Sequence, residues 1–487
     1  MADSEVTYRS ASEMARLVAS RKISPVELVD QHLEQIENLQ PKLNAFATVD
    51  GEGARRQARA AEAAVERRHP LGPLHGVPIS IKSSIAVAGL PWEAGTRLRQ
   101  GMVAEEDAVL VARLRRAGAI ILGTTNLPEM LMAYESNNAL YGRTNNPWDL
   151  ARTAGGSSGG ESAAVAAGCS AAGVGSDSGG SIRIPAHFTG ICGLKGTPGR
   201  IPGTGHYPEC LGPFSLLGAV GPMTRTVDDL ELMMQIMAGA DAGDVGAHPV
   251  PLGQIADADL RRLRIGYFEQ DDQIPATAET RAAVRDCAEA LRQEGFEVVP
   301  FRLKNLDAAK DVWTAFFTQS GGMLLREMYA GHEDTMSPIL REFMERAAAL
   351  PSLTGERLLA AWLRRDQLRS QMMEQMQSVP VFLCPVCSIP AFRHGEREWN
   401  IDDTTVEYFH AMSYTQWFNV LGNPCVVVPA AQSKEGLPIG IQIVARPWEE
   451  HVAIGVAKYV ERLLGWKQPP LTASPRALSL SGQSHRS

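Results

Sequence analysis

The chain has 487 residues, 44% of them hydrophobic, enough for a large buried core in one big α/β unit or in two or three domains. Its 55 acidic residues outnumber 47 basic ones, a net charge of −8, so the basic face that nucleic acid would need is missing. Seven scattered cysteines, an odd number, read as reduced thiols of a cytosolic protein rather than as a disulfide framework.

The N-terminal residues 1–5 show neither a basic nor an apolar leader. No apolar run approaches the ~18 residues that a membrane span requires. A cytoplasmic location is therefore expected. Residues 9–39 read as two helices. The second is announced by Ser24, Pro25 and Glu27, an N-cap, a first-turn proline and a reciprocal carboxylate. Another helix is expected over 54–68, then a strand over 76–82 ending on Lys82. Helix 108–117, closed by Gly118, leads into the apolar strand 119–122. Helix followed by buried strand is the pattern of an α/β protein with a covered sheet. It returns at strand 263–267, helix 278–292 and strand 296–299. From 305 to 377 only helices are expected, rich in Met, Phe, Trp and Arg. Strands resume at 381–383, 426–428 and 439–444, and a helix covers 450–464. The pair Cys384 and Cys387 resembles half a zinc knuckle, but no second ligand pair stands at suitable spacing and the preceding residues read as a buried strand. Residues 239–258 form a surface connection. The expected domain runs from 1 to 466, and 467–487 reads as a disordered tail.

One region stands apart. Gly155, Gly156, Ser157, Ser158, Gly159 and Gly160 precede an alanine-rich helix, and Ser176 to Ser181 form a second Gly/Ser loop after a short strand. A phosphate-binding loop would need Lys-Ser or Lys-Thr after the glycines, where this chain has Glu161-Ser162. A Gly-x-Ser-x-Gly nucleophile elbow fits residues 155–159, yet no strand precedes them, and His394, His410 and His451 lack supporting context. A third reading is a Ser–Ser–Lys device. A serine hydroxyl is a weak nucleophile that needs a base. A lysine can be that base only when neutral, which apolar burial favours. Lys82, closing an apolar strand, is the candidate. A lysine at a strand edge in water and a pair of tight glycine turns remain the competing structural readings.

The stretch from Gly155 to Pro185 resembles the signature of the amidase signature family, including the spacing of both serines and the lysine. Gly76-Val77-Pro78, Gly123 to Asn126, Asn146-Pro147-Trp148, Gly190 to Lys195, Gly221 to Arg225 and Gly436 to Gln442 extend the likeness over most of the chain. The resemblance implies a single α/β domain whose central mixed sheet is covered by helices on both faces, with the helical insert about 305–377 walling the substrate pocket. It implies Ser181 as nucleophile, Ser157 as a bridging serine preceded by a cis peptide bond, and Lys82 as base. The amides of Ser178, Gly179, Gly180 and Ser181 would form the oxyanion hole. Asp177 and Arg183 would be a structural pair holding the loop. No metal or cofactor is required.

Two departures stand out. Gly196-Thr197-Pro198 replaces the family's Pro-Thr, and Phe214 to Val220 replaces the acidic motif of the glutamine-dependent amidotransferases of the family, leaving the alternative of an amidotransferase component weaker. The glycine loops are similar to those of fatty-acid amide hydrolases. By that likeness Leu131, Met132 and Tyr134 would line the acyl site, and Trp313, Phe316, Phe317, Met323 and Met328 could wall a broad apolar pocket. The expected substrate is a small-molecule hydrophobic or aryl amide, with carbamates or esters as further substrates, acted on by a monomer or homodimer.

Overall fold

The capping box expected at Ser24 forms as written: its hydroxyl accepts from the amides of Val26 and Glu27, and Glu27 accepts from the Ser24 amide, opening the helix Pro25–Leu43. The computed structural model describes residues 3–209 and 211–472. Part of the expected tail is described and carries a single turn at Pro470–Thr472, while 473–487 lie outside the described residues.

The main strands are β1 (Phe46–Val49), β2 (Pro78–Lys82), β3 (Ile120–Thr125), β4 (Ala172–Asp177), β5 (Cys192–Lys195), β6 (Ala219–Thr224), β7 (Arg264–Tyr267), β8 (Glu297–Pro300), β9 (Val381–Pro385), β10 (Cys425–Gln432) and β11 (Pro438–Ala445). They form one 11-stranded sheet in the order β1-β3-β2-β4-β6-β5-β10-β11-β9-β7-β8. Parallel pairs (β3/β2, β2/β4, β9/β7, β7/β8) flank a central antiparallel run, so the sheet is mixed.

Strand alternation explains the two cores. Val426 and Val428 enter one apolar cluster with Ile439, Ile441 and Ile443, while Cys425 and Val427 enter the other with Phe382 and Cys384. Successive side chains of a strand point to opposite faces, so a sheet that is apolar on both faces needs helices over each. The helices Val109–Arg116, Val227–Met237, Ala278–Gln293 and Glu450–Leu464 contribute to the first cluster. The insert helices Leu306–Trp313, Ser320–Met328, Pro338–Ala349 and Gly355–Gln375 contribute to the second.

The same alternation positions Lys82. Ile79 and Ile81 join the first cluster, which leaves Ser80 and Lys82 on the opposite face of β2. That face meets the helix Gly159–Ala166, itself buried along its whole length. Because β2 and β4 are parallel, Lys82 and Ser176 both lie at the carboxyl ends of adjacent strands, where ligands of open α/β sheets usually bind.

Candidate active site

Lys82 is fully buried, and its Nζ lies 2.7 Å from Ser157 Oγ, 2.9 Å from Ser158 Oγ and 3.0 Å from Ser176 Oγ. Three hydroxyls thus surround the amine at hydrogen-bond distance. A serine hydroxyl can donate or accept, so these three partners can serve the amine either as donor or as proton acceptor. The peptide bond between Gly156 and Ser157 is cis, as the likeness implies. Ser157, Ser176, Ser178 and Ser181 all border one cavity of about 100 Å³. Among the described residues it is Lys82, not Ser181, that supplies the hydrogen bond to the Ser157 hydroxyl.

The 178–181 loop is held from outside. Asp177 Oδ1 accepts from the Gly180 amide at 2.8 Å, and Oδ2 from the Ile182 amide at 3.1 Å. Arg183 grips the same carboxylate with Nε at 3.0 Å and Nη2 at 2.9 Å, and neither side chain is exposed. Burial alone would push the Asp177 carboxyl up, but the Arg183 guanidinium, with Lys195 and Asn419, holds it well below the usual range. Two loop carbonyls are tied as well. Trp313 Nε1 donates to Ser178 O at 2.9 Å, and Tyr134 Oη and Thr415 Oγ1 donate to Gly179 O at 3.1 and 2.7 Å. With these groups anchored, the amides of Ser178, Gly179 and Ser181 meet no protein acceptor among the described residues. Gly180 differs: its amide is committed to Asp177, so in this structure it is not one of the free donors expected of an oxyanion hole. Gly180 sits at φ +127, and a Cβ there would come within 2.3 Å of Thr415 Oγ1.

The cavity walls are apolar. Leu131 and Met132 line it beside Met130. Tyr134 does not; its buried hydroxyl, hydrogen-bonded to Gln416, braces Gly179 instead. Of the five insert residues expected as walls, Phe317 and Met328 line the cavity, Phe316 is buried in the core, and Met323 faces outward at 53% exposure. Helical periodicity gives the reason: Phe317, Gly321, Leu324, Leu325 and Met328 share one stripe, and 316 and 323 fall off it. Trp313 stacks under Phe317, rings 4.7 Å apart, where the helix is wound as a π-helix over Thr314–Gln319. A π-turn of this kind is common near functional sites.

His206 borders the cavity, and burial lowers its pKa to about 4. Its Nε2 is 3.2 Å from Ser84 Oγ and its Nδ1 2.8 Å from Pro208 O, so both ring nitrogens are occupied away from Ser181. His394, His410 and His451 do not line the cavity. Behind the site, Ser80 Oγ donates to Glu161 Oε1 and Thr125 Oγ1 donates to Oε2 at 2.7 Å. Burial raises the Glu161 carboxyl to about 7, against the pull of those hydroxyls and of Lys82. Ser158, Ser176, Glu161 and Thr415 were missed from sequence as site residues, and Trp313, expected as an apolar wall, instead ties the Ser178 carbonyl. Only Ser158 and Ser176 carried a signal, as further hydroxyls of the two Gly/Ser loops.

A buried lysine among hydroxyls, beside a serine-bordered apolar cavity at the carboxyl ends of two interior strands of a mixed sheet, is an arrangement for acyl chemistry. The sequence profile of the Amidase family matches residues 27–453, and the chain belongs to that amidase signature family, whose members act on amide C–N bonds. It is 32% identical to the human "Fatty-acid amide hydrolase 2", over 94% of this chain and 90% of that protein. It is 33% identical to the "Acylamidase" of Rhodococcus erythropolis, over 96% of this chain and 98% of that protein. A component of the glutamyl-tRNA(Gln) amidotransferase of Roseiflexus castenholzii is 34% identical, over 95% of this chain and 96% of that protein. The solved structure of a bacterial aryl acylamidase of the same family superposes with a TM-score of 0.84 at 27% identity, covering 96% of this chain and 99% of the other. Among the described residues no helix is long and apolar enough to cross a membrane.

Proposed function

We propose that the chain hydrolyses hydrophobic or aryl carboxylic amides, with carbamates or esters as further substrates, through an acyl-enzyme on Ser181. Neutral Lys82 takes the proton of Ser157 while Ser157 takes that of Ser181. Ser181 Oγ adds to the carbonyl carbon, and the oxyanion is received by the amides of Ser178, Gly179 and Ser181. Donors of this kind are each worth about 10²–10³ in rate. The C–N bond breaks as the proton returns through Ser157 to the amine nitrogen. Water then adds to the acyl carbon, giving its proton to the same relay, and the carboxylic acid leaves. Only these side chains and water enter the cycle.

The observation that carries this reading is the 2.7 Å contact of Lys82 with Ser157 at the wall of a cavity that Ser181 also borders. In apo enzymes catalytic hydrogen bonds are often loose and tighten with substrate, which fits a Ser181 hydroxyl not yet joined to Ser157. The apolar walls support a hydrophobic acyl group. Phe214, from the stretch that departs from the amidotransferase pattern, faces the cavity, and Glu209 is the single carboxylate among the described wall residues.

Ser181→Ala is expected to lower anilide hydrolysis about 10⁴-fold or more and to abolish labelling by a fluorophosphonate probe, whose mass should sit on the Ser181 peptide of the wild type. Label on another serine, or an active Ser181→Ala enzyme, refutes the assignment. A glutaminase activity exceeding anilide hydrolysis would favour the amidotransferase reading instead.

A further inference from the structure

A second, more polar cavity of about 350 Å³ shares Ser176, Ser178 and His206 with the apolar pocket, so the two meet beside the loop that carries Ser181. Ser215, Asp244, His248, Arg365, Arg369 and Trp448 are among its other walls. Arg365 and Arg369 stand one turn apart on the helix Gly355–Gln375, a spacing that places both on one face. Arg365 is largely committed: Nε donates to Val420 O at 3.0 Å, Nη2 reaches Leu216 O at 3.4 Å, and its nearest carboxylate is its exposed neighbour Asp366, at 3.5 Å. Burial, then the charge of Arg369, lowers the Arg365 pKa to about 10, which means the two cations are close enough to oppose each other. Arg369 donates through Nε to Leu421 O at 3.2 Å, and its terminal nitrogens meet no acceptor among the described residues. The one carboxylate of this wall, Asp244, is turned to its own loops and accepts from the Gly246 and Gly203 amides at 2.9 and 2.8 Å. A planar guanidinium with unfilled donors, in a chain of net charge −8, is a local docking point for a carboxylate.

We infer that this polar cavity receives the leaving-amine half of the substrate and that this half carries a carboxylate held by Arg369, so that the substrates are N-acyl amino acids. The inference rests on the acyl-enzyme reading above. The acyl group occupies the apolar pocket around Leu131, Met132 and Leu325, and the scissile bond lies at Ser181. After the C–N bond breaks, the free amino acid departs through the polar cavity, and water reaches the acyl-enzyme by the same route.

The test compares substrates with one acyl group and different amines: glycine, 4-aminobutyrate and 6-aminohexanoate, each beside a neutral N-alkyl amide of equal length. The wild type is expected to show a higher kcat/KM for at least one anionic member than for its neutral twin. That ratio should fall about tenfold in Arg369→Ala, the size of one charge-assisted contact, and recover in part in Arg369→Lys. Should the variants fold poorly, the wild-type ratio itself is expected to drop as ionic strength rises. No preference for any anionic substrate, or a preference indifferent to both Arg369→Ala and salt, overturns the inference. If the neutral twins turn over while the anionic ones are not preferred, this inference fails and the proposed function stands; if no amide of either kind is cleaved, the proposed function itself has failed.

Discussion

Asp177→Asn is the most demanding test of how the 178–181 loop is held. Oδ1 accepts from the Gly180 amide, Arg183 Nη2 and, at 2.9 Å, Asn419 Nδ2, while Oδ2 accepts from the Ile182 amide and Arg183 Nε. Every partner is a donor. A carboxamide therefore sets its own NH₂ against at least two donors whichever way it is turned. It also leaves a guanidinium with no exposed surface facing no counter-charge. Removing one partner of a buried pair costs about 3–5 kcal/mol, a large share of the ~5–15 kcal/mol by which proteins are usually stable. We expect a loss of about 4 kcal/mol in urea denaturation followed by tryptophan fluorescence, with kcat falling because the free amides lose their fixed aim. Asp177→Leu combined with Arg183→Met removes both charges and should be less damaging than the two single changes added together. The sign with pH follows from the depressed Asp177 pKa. Its stabilisation is present above the unfolded value of about 4 and lost as pH falls below it. The wild type should therefore lose more stability than Asp177→Asn on going from about pH 5 to pH 3. A single-variant loss below about 1 kcal/mol, or strict additivity in the double variant, would refute the reasoning.

Glu161 gives the opposite sign. Its folded pKa of about 7 lies above an unfolded value near 4.3, so between these the unfolded chain sheds a proton that the folded one keeps, and stability falls as pH rises. Glu161→Gln should gain on the wild type in melting temperature from pH 5 to pH 8, by an amount worth at most about 3 kcal/mol; parallel profiles would count against the buried neutral acid. Trp313→Phe keeps the stacking but loses the 2.9 Å bond to Ser178 O, and should lower kcat about fivefold with little change in KM. An unchanged kcat in steady-state assays means the bond does not position the loop. Gly180→Ala drives a methyl group into Thr415 at a left-handed backbone, and should cut kcat at least about tenfold while circular dichroism shows a folded protein. Wild-type kinetics there would mean the loop is looser than its contacts imply.

Much of the order of helices and strands was legible from periodicity and caps, but the strands Phe46–Val49, Cys192–Lys195 and Ala219–Thr224 and the helix Val227–Met237 were not read. The capping box at Ser24, the buried strand ending on Lys82 and the all-helical stretch before β9 are local patterns, and local patterns are what alternation and cap chemistry encode. The two Gly/Ser loops stood out for the same reason. The wall of the cavity was only half legible, since a run rich in Phe and Met does not say which members of a helix face inward until the helix is docked. Tyr134 was misread because a tyrosine near a pocket can serve as wall or as hydrogen-bond donor, and packing decides which.

By itself the sequence determined the α/β grammar, and its resemblance to a family singled out the three residues, Lys82, Ser157 and Ser181, around which a function can be proposed. Tertiary structure alone decided that Ser158 and Ser176 also meet the amine, that Trp313 and Thr415 tie carbonyls 135 and 236 residues away, and that Arg369 faces the second cavity. Hydrogen bonds across such distances leave no periodic trace in the chain. They exist only once the sheet has closed and the helical insert has settled on its face.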